Sequence, residues 1–202
     1  MLIQSLIDKS KYSIKCPYEM TPVGICVHNT ANSASARNEI NYMKNNNNEV
    51  SFHVAIDDVE SIQAIPFNRN SWSCGDGVNG NGNRKHINIE ICYSTSNLEL
   101  FKKAEKNAIK EIALILKQYN WTISNVKKHQ DFSGKYCPHR TLDLGWQRFL
   151  NEIEKELLKL NTTTVTPTKI YKVQVGAYSK LENAKAMQEK LKKLGIESII
   201  KE

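Results

Sequence analysis

The chain lacks any apolar run near the roughly 18 residues that would cross a bilayer as a helix. It also lacks the layout of an export signal. Residues 1–9, MLIQSLIDK, place their charge after a very short apolar stretch, whereas a secretory leader has the reverse order. The expectation is a chain with no signal peptide and no transmembrane segment. Disulfide-framework spacing is missing as well. The five cysteines, at 16, 26, 74, 92 and 137, are odd in number, so thiols serving as metal ligands or buried apolar groups fit better. Acids are few beside bases: 21 against 28, for a net charge of +7, which favours an anionic partner. No recognition helix or RNP-like aromatic pattern is present, so no specific nucleic acid partner is expected.

What remains is globular: 202 residues, 40% hydrophobic and 24% charged, enough for one domain and a small appendage. Residues 161–169, NTTTVTPTK, offer almost nothing to bury and contain Pro167, which reads as a linker. Residues 1–160 form the main domain. Residues 170–202 form a tail below the size at which a lone core suffices.

Three segments alternate as strands do. Val23, Ile25 and Val27 oppose Cys26 and His28; Phe52, Val54 and Ile56 oppose His53 and Ala55; Ile87, Ile89 and Ile91 oppose His86, Asn88, Glu90 and Cys92. Helical spacing marks 35–44, 99–119 and 145–159. The fold class expected is α/β: a mixed central sheet flanked by helices, plus a small C-terminal βαβ unit built from 170–178, 181–194 and 196–200 with Ser179 as cap.

Catalytic zinc takes three protein ligands from His, Cys and carboxylates and keeps one position open. His28 ends a strand before the turn 29–32, and His129 and Cys137 bracket a loop. On spacing alone, an ordinary strand-end histidine and a buried thiol remain open readings. Glu90 sits inside an Ile-rich strand. It either faces solvent or, if buried, has its pKa raised into the range of a general base. Lys135 is an exposed loop lysine or an oxyanion partner.

Several blocks carry a resemblance. MTPVGICVHNTAN at 20–32, SFH at 51–53 with Asp57 and Asp58, and Trp72 with the glycine-rich loop 75–83 come first; INIEI at 87–91 and HQDFSGKYCPH at 129–139 follow. In this order they resemble the zinc-dependent N-acetylmuramoyl-L-alanine amidases of the type-2, peptidoglycan-recognition-like family found in phage endolysins. The resemblance implies Zn2+ held by His28, His129 and Cys137. Glu90 would be the base for the attacking water, and Lys135 the oxyanion partner. Asn29, His53, Trp72 and Asp76 would contact substrate. The bond would be the amide joining the lactyl group of muramic acid to L-alanine in bacterial peptidoglycan.

The chain departs from that pattern in places. Phe52 stands where some relatives carry a tyrosine that assists catalysis, and Asn88 replaces a glycine, which would narrow the groove. His86 and His139 are expected at the surface, and Cys16, Cys26 and Cys92 as buried thiols. The tail resembles one half of a SPOR-type repeat, a peptidoglycan-binding module, and pairing of two tails in a homodimer would complete it. The resemblance further implies an endolysin or autolysin, made in the cytoplasm and acting on the wall after holin-dependent release or lysis. The alternative is a non-catalytic peptidoglycan-binding protein on the same fold. The intact Cys137, Glu90 and Lys135 weigh against it.

Overall fold

The computed structural model describes residues 2–162 and 173–201. The chain divides into two compact units, Met1–Thr164 and Val165–Glu202.

The first unit runs β1 (Leu2–Gln4), α1 (Tyr12–Lys15), β2 (Gly24–Asn29), α2 (Ala36–Asn45), β3 (Val54–Ile56), β4 (Ser61–Gln63), α3 (Asn81–Lys85) and β5 (His86–Ile91). It continues with α4 (Leu98–Gln118), β6 (Val126–Lys128), α5 (Gln130–Ser133), α6 (His139–Asp143) and α7 (Trp146–Thr162). The six strands form one sheet in the order β1-β4-β3-β5-β2-β6. All pairings are parallel except β3 with β4, so the sheet is mixed, as expected.

The three alternating segments become β2, β3 and β5, the centre of the sheet. Ile25, Val27, Val54, Ile56, Ile87, Ile89 and Ile91 turn to one face. There they pack with Phe101, Ala104, Ala108 and Ile112 of α4 and with Phe149 and Ile153 of α7. Fully burying each isoleucine contributes about 1.5–3 kcal/mol, so this face anchors the domain. On the other face, Ala55 and Ile62 meet Ala36, Ile40 and Met43 of α2. Phe52 is buried in that same cluster.

Caps set the helix starts. Ser35 stays outside α2 and its Oγ accepts from the Asn38 amide at 3.3 Å; Asn97 does the same for Leu100 at 2.9 Å ahead of α4. Expected strand 51–57 shrinks to three residues. Ser51 exchanges backbone hydrogen bonds with Trp72 instead of a sheet neighbour, and this draws the 72–83 loop in beside the sheet.

Residues 161–162 complete α7 rather than starting a linker, and 163–169 lie outside the described residues. In the second unit the expected helix is α8 (Leu181–Lys193), begun by Lys180 without a side-chain cap rather than by Ser179. Residues 173–178 and 196–200 form no strand; 170–172 lie outside the described residues. Val173, Leu194 and Ile199 are exposed. A two-stranded layer under one helix is too small to hold itself together, which accounts for the difference.

Candidate metal centre

Parallel pairing of β2 with β5 sets His28 beside Glu90 and Cys26 beside Asn88, on the sheet face opposite the isoleucines. β6 then delivers the second histidine. Its last residue is Lys128, and the His129 amide extends the ladder by donating to the Val27 carbonyl at 3.2 Å. The short turn of α5 and the left-handed Gly134 reverse the chain, and the Gln130 amide closes the loop on the Cys137 carbonyl at 3.0 Å. Glycine meets that backbone requirement without strain.

These three elements bring His28, His129 and Cys137 together. Their ligand atoms all lie within 4.8 Å of one another, and all three residues are buried. The two histidine Nδ1 atoms are 3.0 Å apart. His28 Nε2 is hydrogen-bonded to Asn88 Oδ1 at 2.8 Å, and the His129 ring is hydrogen-bonded to the Cys74 carbonyl. His28 thus has an acceptor for an Nε2–H and turns its Nδ1 towards that of His129. Two Nδ1 atoms converging beside a thiol make the donor set of a borderline divalent metal ion, so the residues fit one.

The surroundings disfavour protons on the nitrogens. His28 is pushed down to about 3, chiefly by burial and then by the neighbouring His129, with the Lys135 charge adding to it. His129 is lowered by burial and by Lys135. Cys137 is pushed up to about 11 by burial, although the Asn29 amide and the Lys135 charge favour its thiolate.

A second trio, Cys26, His28 and Cys74, also gathers metal-ligating atoms. It would have to use His28 Nε2, which lies 3.1 Å from Cys26 Sγ and 3.8 Å from Cys74 Sγ. That nitrogen is the one hydrogen-bonded to Asn88. Burial and the adjacent Cys74 also hold the Cys26 thiol well above its ordinary range. The first trio is the better metal site.

Glu90 is half-buried, and its Oε2 is buried without a hydrogen-bond partner. Burial, and after it the Glu39 charge, raise its carboxyl to about 8 against the opposing pull of Lys135. A carboxyl poised near neutrality beside a metal group can accept and return a proton. Lys135 is exposed on the 134–137 loop, with its charge felt by His28, Glu90, His129 and Cys137 alike.

The residues expected along the substrate groove are tied into the fold. His53 is fully buried: its Nδ1 accepts from the Asn88 amide at 2.9 Å, and its Nε2 donates to the Arg69 carbonyl at 2.8 Å. No ring nitrogen is left for a substrate. Asn29 is buried, and its Oδ1 accepts from the amides of Arg140 and Thr141 at 2.9 and 3.2 Å, which docks α6 just after Cys137. Asp76 accepts from the Gly82 and Asn83 amides at 2.6 and 3.2 Å and so staples its own loop. Trp72 is half-buried with its indole N–H on the Ile14 carbonyl at 3.1 Å. All four hold the frame around the metal group.

Two other expectations change. His86 is buried rather than at the surface, bonded to the Asn81 carbonyl at 2.9 Å and packed on Phe132. Asn88 lies behind His28, fully buried, and narrows no groove. The strand alternation that put Asn88 on the Glu90 face was the available signal for its part in the site. Cys16, Cys26 and Cys92 are buried free thiols, as expected; Cys74 joins them. Gly82 has to be glycine: a Cβ there would come within 2.7 Å of Cys74 and 2.8 Å of Phe132.

Known proteins carry the same framework. CwlA of Bacillus subtilis, an N-acetylmuramoyl-L-alanine amidase, is 55% identical over 164 residues, 81% of this chain and 60% of the relative. XlyB of the same organism, named likewise, is 53% identical over 155 residues, 76% of this chain and 49% of the relative. The chain therefore spans about half to three-fifths of the length of these relatives. Among solved structures, that of PlyL superposes with a TM-score of 0.75 at 52% identity, covering 77% of this chain and 98% of PlyL. The catalytic domain of XlyA gives 0.69 at 40% identity, covering 76% and 99%. Residues 167–202 match the SPOR domain. Residues 18–140, which hold every member of the metal group and Glu90, match the family described as N-acetylmuramoyl-L-alanine amidase, and the chain belongs to that family.

Proposed function

We propose that the protein hydrolyses the amide bond between N-acetylmuramic acid and L-alanine in peptidoglycan, with Zn2+ held by His28, His129 and Cys137. The observation that carries this reading is the pair of Nδ1 atoms converging at 3.0 Å beside the Cys137 thiol, next to a carboxylate with an unpartnered buried oxygen. The family and the relatives named as amidases support it.

When bound, zinc acts as a Lewis acid that polarises the scissile carbonyl and favours ionisation of water. The chain's own residues do the rest. Glu90 takes a proton from the attacking water as its oxygen bonds to the lactyl carbonyl carbon. It then delivers that proton to the departing nitrogen of L-alanine as the C–N bond breaks. The Lys135 ammonium meets the negative charge that develops on the carbonyl oxygen. Phe52 has no hydroxyl to share these duties, so Glu90 carries the proton transfers.

The tail is read as a half SPOR-like unit that binds wall polymer or pairs with a second copy, which its exposed apolar residues support. No helix among the described residues is long and apolar enough to cross a membrane. Action on the wall after release from the cell, as an endolysin or autolysin, fits the amidase reading and the +7 charge facing an anionic wall.

The test is a digest of purified peptidoglycan with and without a zinc chelator, followed by mass spectrometry and amine end-group assay. Free stem peptides with new N-terminal L-alanine, lost with chelator and regained with zinc, are expected. Wall binding by zinc-loaded protein without new amine ends would replace this reading with a binding-only function.

A further inference from the structure

We propose that Asn88 is the positioning residue that fixes the tautomer of His28 and thereby aims its Nδ1 at the metal group. This rests on the zinc reading above, but the geometry behind it stands on its own.

Asn88 Oδ1 lies 2.8 Å from His28 Nε2. An amide alone does not say which of its ends faces the ring, because its oxygen and nitrogen are nearly isosteric. Here the other end decides. The two N–H of Nδ2 face three acceptors, one of them shared: Ser71 Oγ at 2.9 Å, the Gly82 carbonyl at 3.1 Å and the His86 carbonyl at 3.0 Å. Two of those three partners are backbone carbonyls, which can only accept. Turned over, the amide would set its oxygen against both of them. Oδ1 therefore faces His28 as an acceptor, and the Cys74 thiol donates to the same oxygen at 2.9 Å.

An acceptor opposite Nε2 requires a proton on Nε2. A neutral imidazole carries one proton, so Nδ1 keeps its lone pair, pointing at His129. Asn88 is fully buried, which leaves no room for solvent to take over its bond. It is also held in place through the backbone: its amide donates to His53 Nδ1 at 2.9 Å, and its carbonyl accepts from the His53 amide at 3.0 Å. This assigns the buried His53 its work, as the clasp behind the clasp.

The experiment is a long-range 1H–15N correlation spectrum of the metal-free, 15N-labelled full chain, which reads the protonation of each ring nitrogen. His28 is expected as the Nε2–H tautomer. In Asn88→Leu, of similar volume but without hydrogen bonds, the tautomers should mix. Zinc affinity, read by competition with a chromogenic chelator, should fall about 10- to 100-fold. Ser71→Ala removes one of the three Nδ2 acceptors and leaves both carbonyls, so it should keep the tautomer and lose less affinity.

A His28 protonated on Nδ1 in the unsubstituted protein would overturn the proposal, and needs no variant to fold. Asn88→Leu with unchanged tautomer and unchanged zinc affinity would overturn it too. If the unsubstituted protein shows the Nε2–H tautomer yet takes up no zinc, the metal reading fails while the role of Asn88 in setting the tautomer stands.

Discussion

The two faces of β5 share one backbone and obey different rules. Ile87, Ile89 and Ile91 are fully buried among other apolar side chains and ask only for the right volume. His86, Asn88 and Glu90 look the other way, and there direction matters: His86 is bonded to Asn81, Asn88 to His28 and Ser71, while Glu90 keeps one buried oxygen without a partner. Burying polar groups costs stability unless each is satisfied. The group left unsatisfied on an otherwise saturated face is the one to associate with chemistry.

The contrast is most sharply broken at the proposed ligands. His28→Ala or Cys137→Ser should abolish metal uptake by elemental analysis and reduce stem-peptide release to background, with the sheet intact by circular dichroism. Retained metal in either variant would move the centre elsewhere. Next in size, Glu90→Gln should keep the metal and lose about 10²- to 10⁴-fold in turnover; undiminished turnover would remove Glu90 from the proton transfers.

The apolar face should respond in stability instead. Ile89→Ala leaves a cavity and should cost about 2–5 kcal/mol in urea unfolding, while the folded fraction keeps its affinity for metal. A loss of metal affinity without loss of stability would mean that the two faces are not separate in function.

A smaller effect follows from the raised carboxyl of Glu90. A pKa of about 8 in the folded state, against an ordinary 4.5, means that the folded protein favours the protonated acid. That contribution is complete below about 4.5 and is lost as pH rises through about 8. Metal-free protein should therefore lose stability relative to Glu90→Gln across this window, by up to about 1.4 kcal/mol per pH unit, in thermal melts at several pH values. Parallel curves would show that Glu90 is well solvated. Smallest of all, deleting 165–202 should leave the melting of the first unit unchanged and weaken wall binding only.

Much of this was legible along the chain because it depends on period. Alternation marked β2, β3 and β5 and sorted their residues onto faces, and helical spacing marked α2, α4, α7 and α8. The proposed ligands His28, His129 and Cys137 and the carboxylate Glu90 were visible as motif residues. Strands β1, β4 and β6, three residues each, are too short to show a period and exist through their neighbours' hydrogen bonds. Lys15 is likewise unreadable from sequence: a lysine buried completely because Asn46 Oδ1 and the carbonyls of Asn48 and Val50 take its ammonium.

The sequence by itself determined the faces of the central strands and the identity of the chemical groups, since side-chain period and residue type are local properties. Only the tertiary structure decided which of those groups meet. It showed that Asn29, Trp72 and Asp76 are tied into the frame by hydrogen bonds, and it set Asn88 Oδ1 against His28 Nε2. Contacts between residues 60 or 101 positions apart are set by strand order and register, which no local pattern encodes.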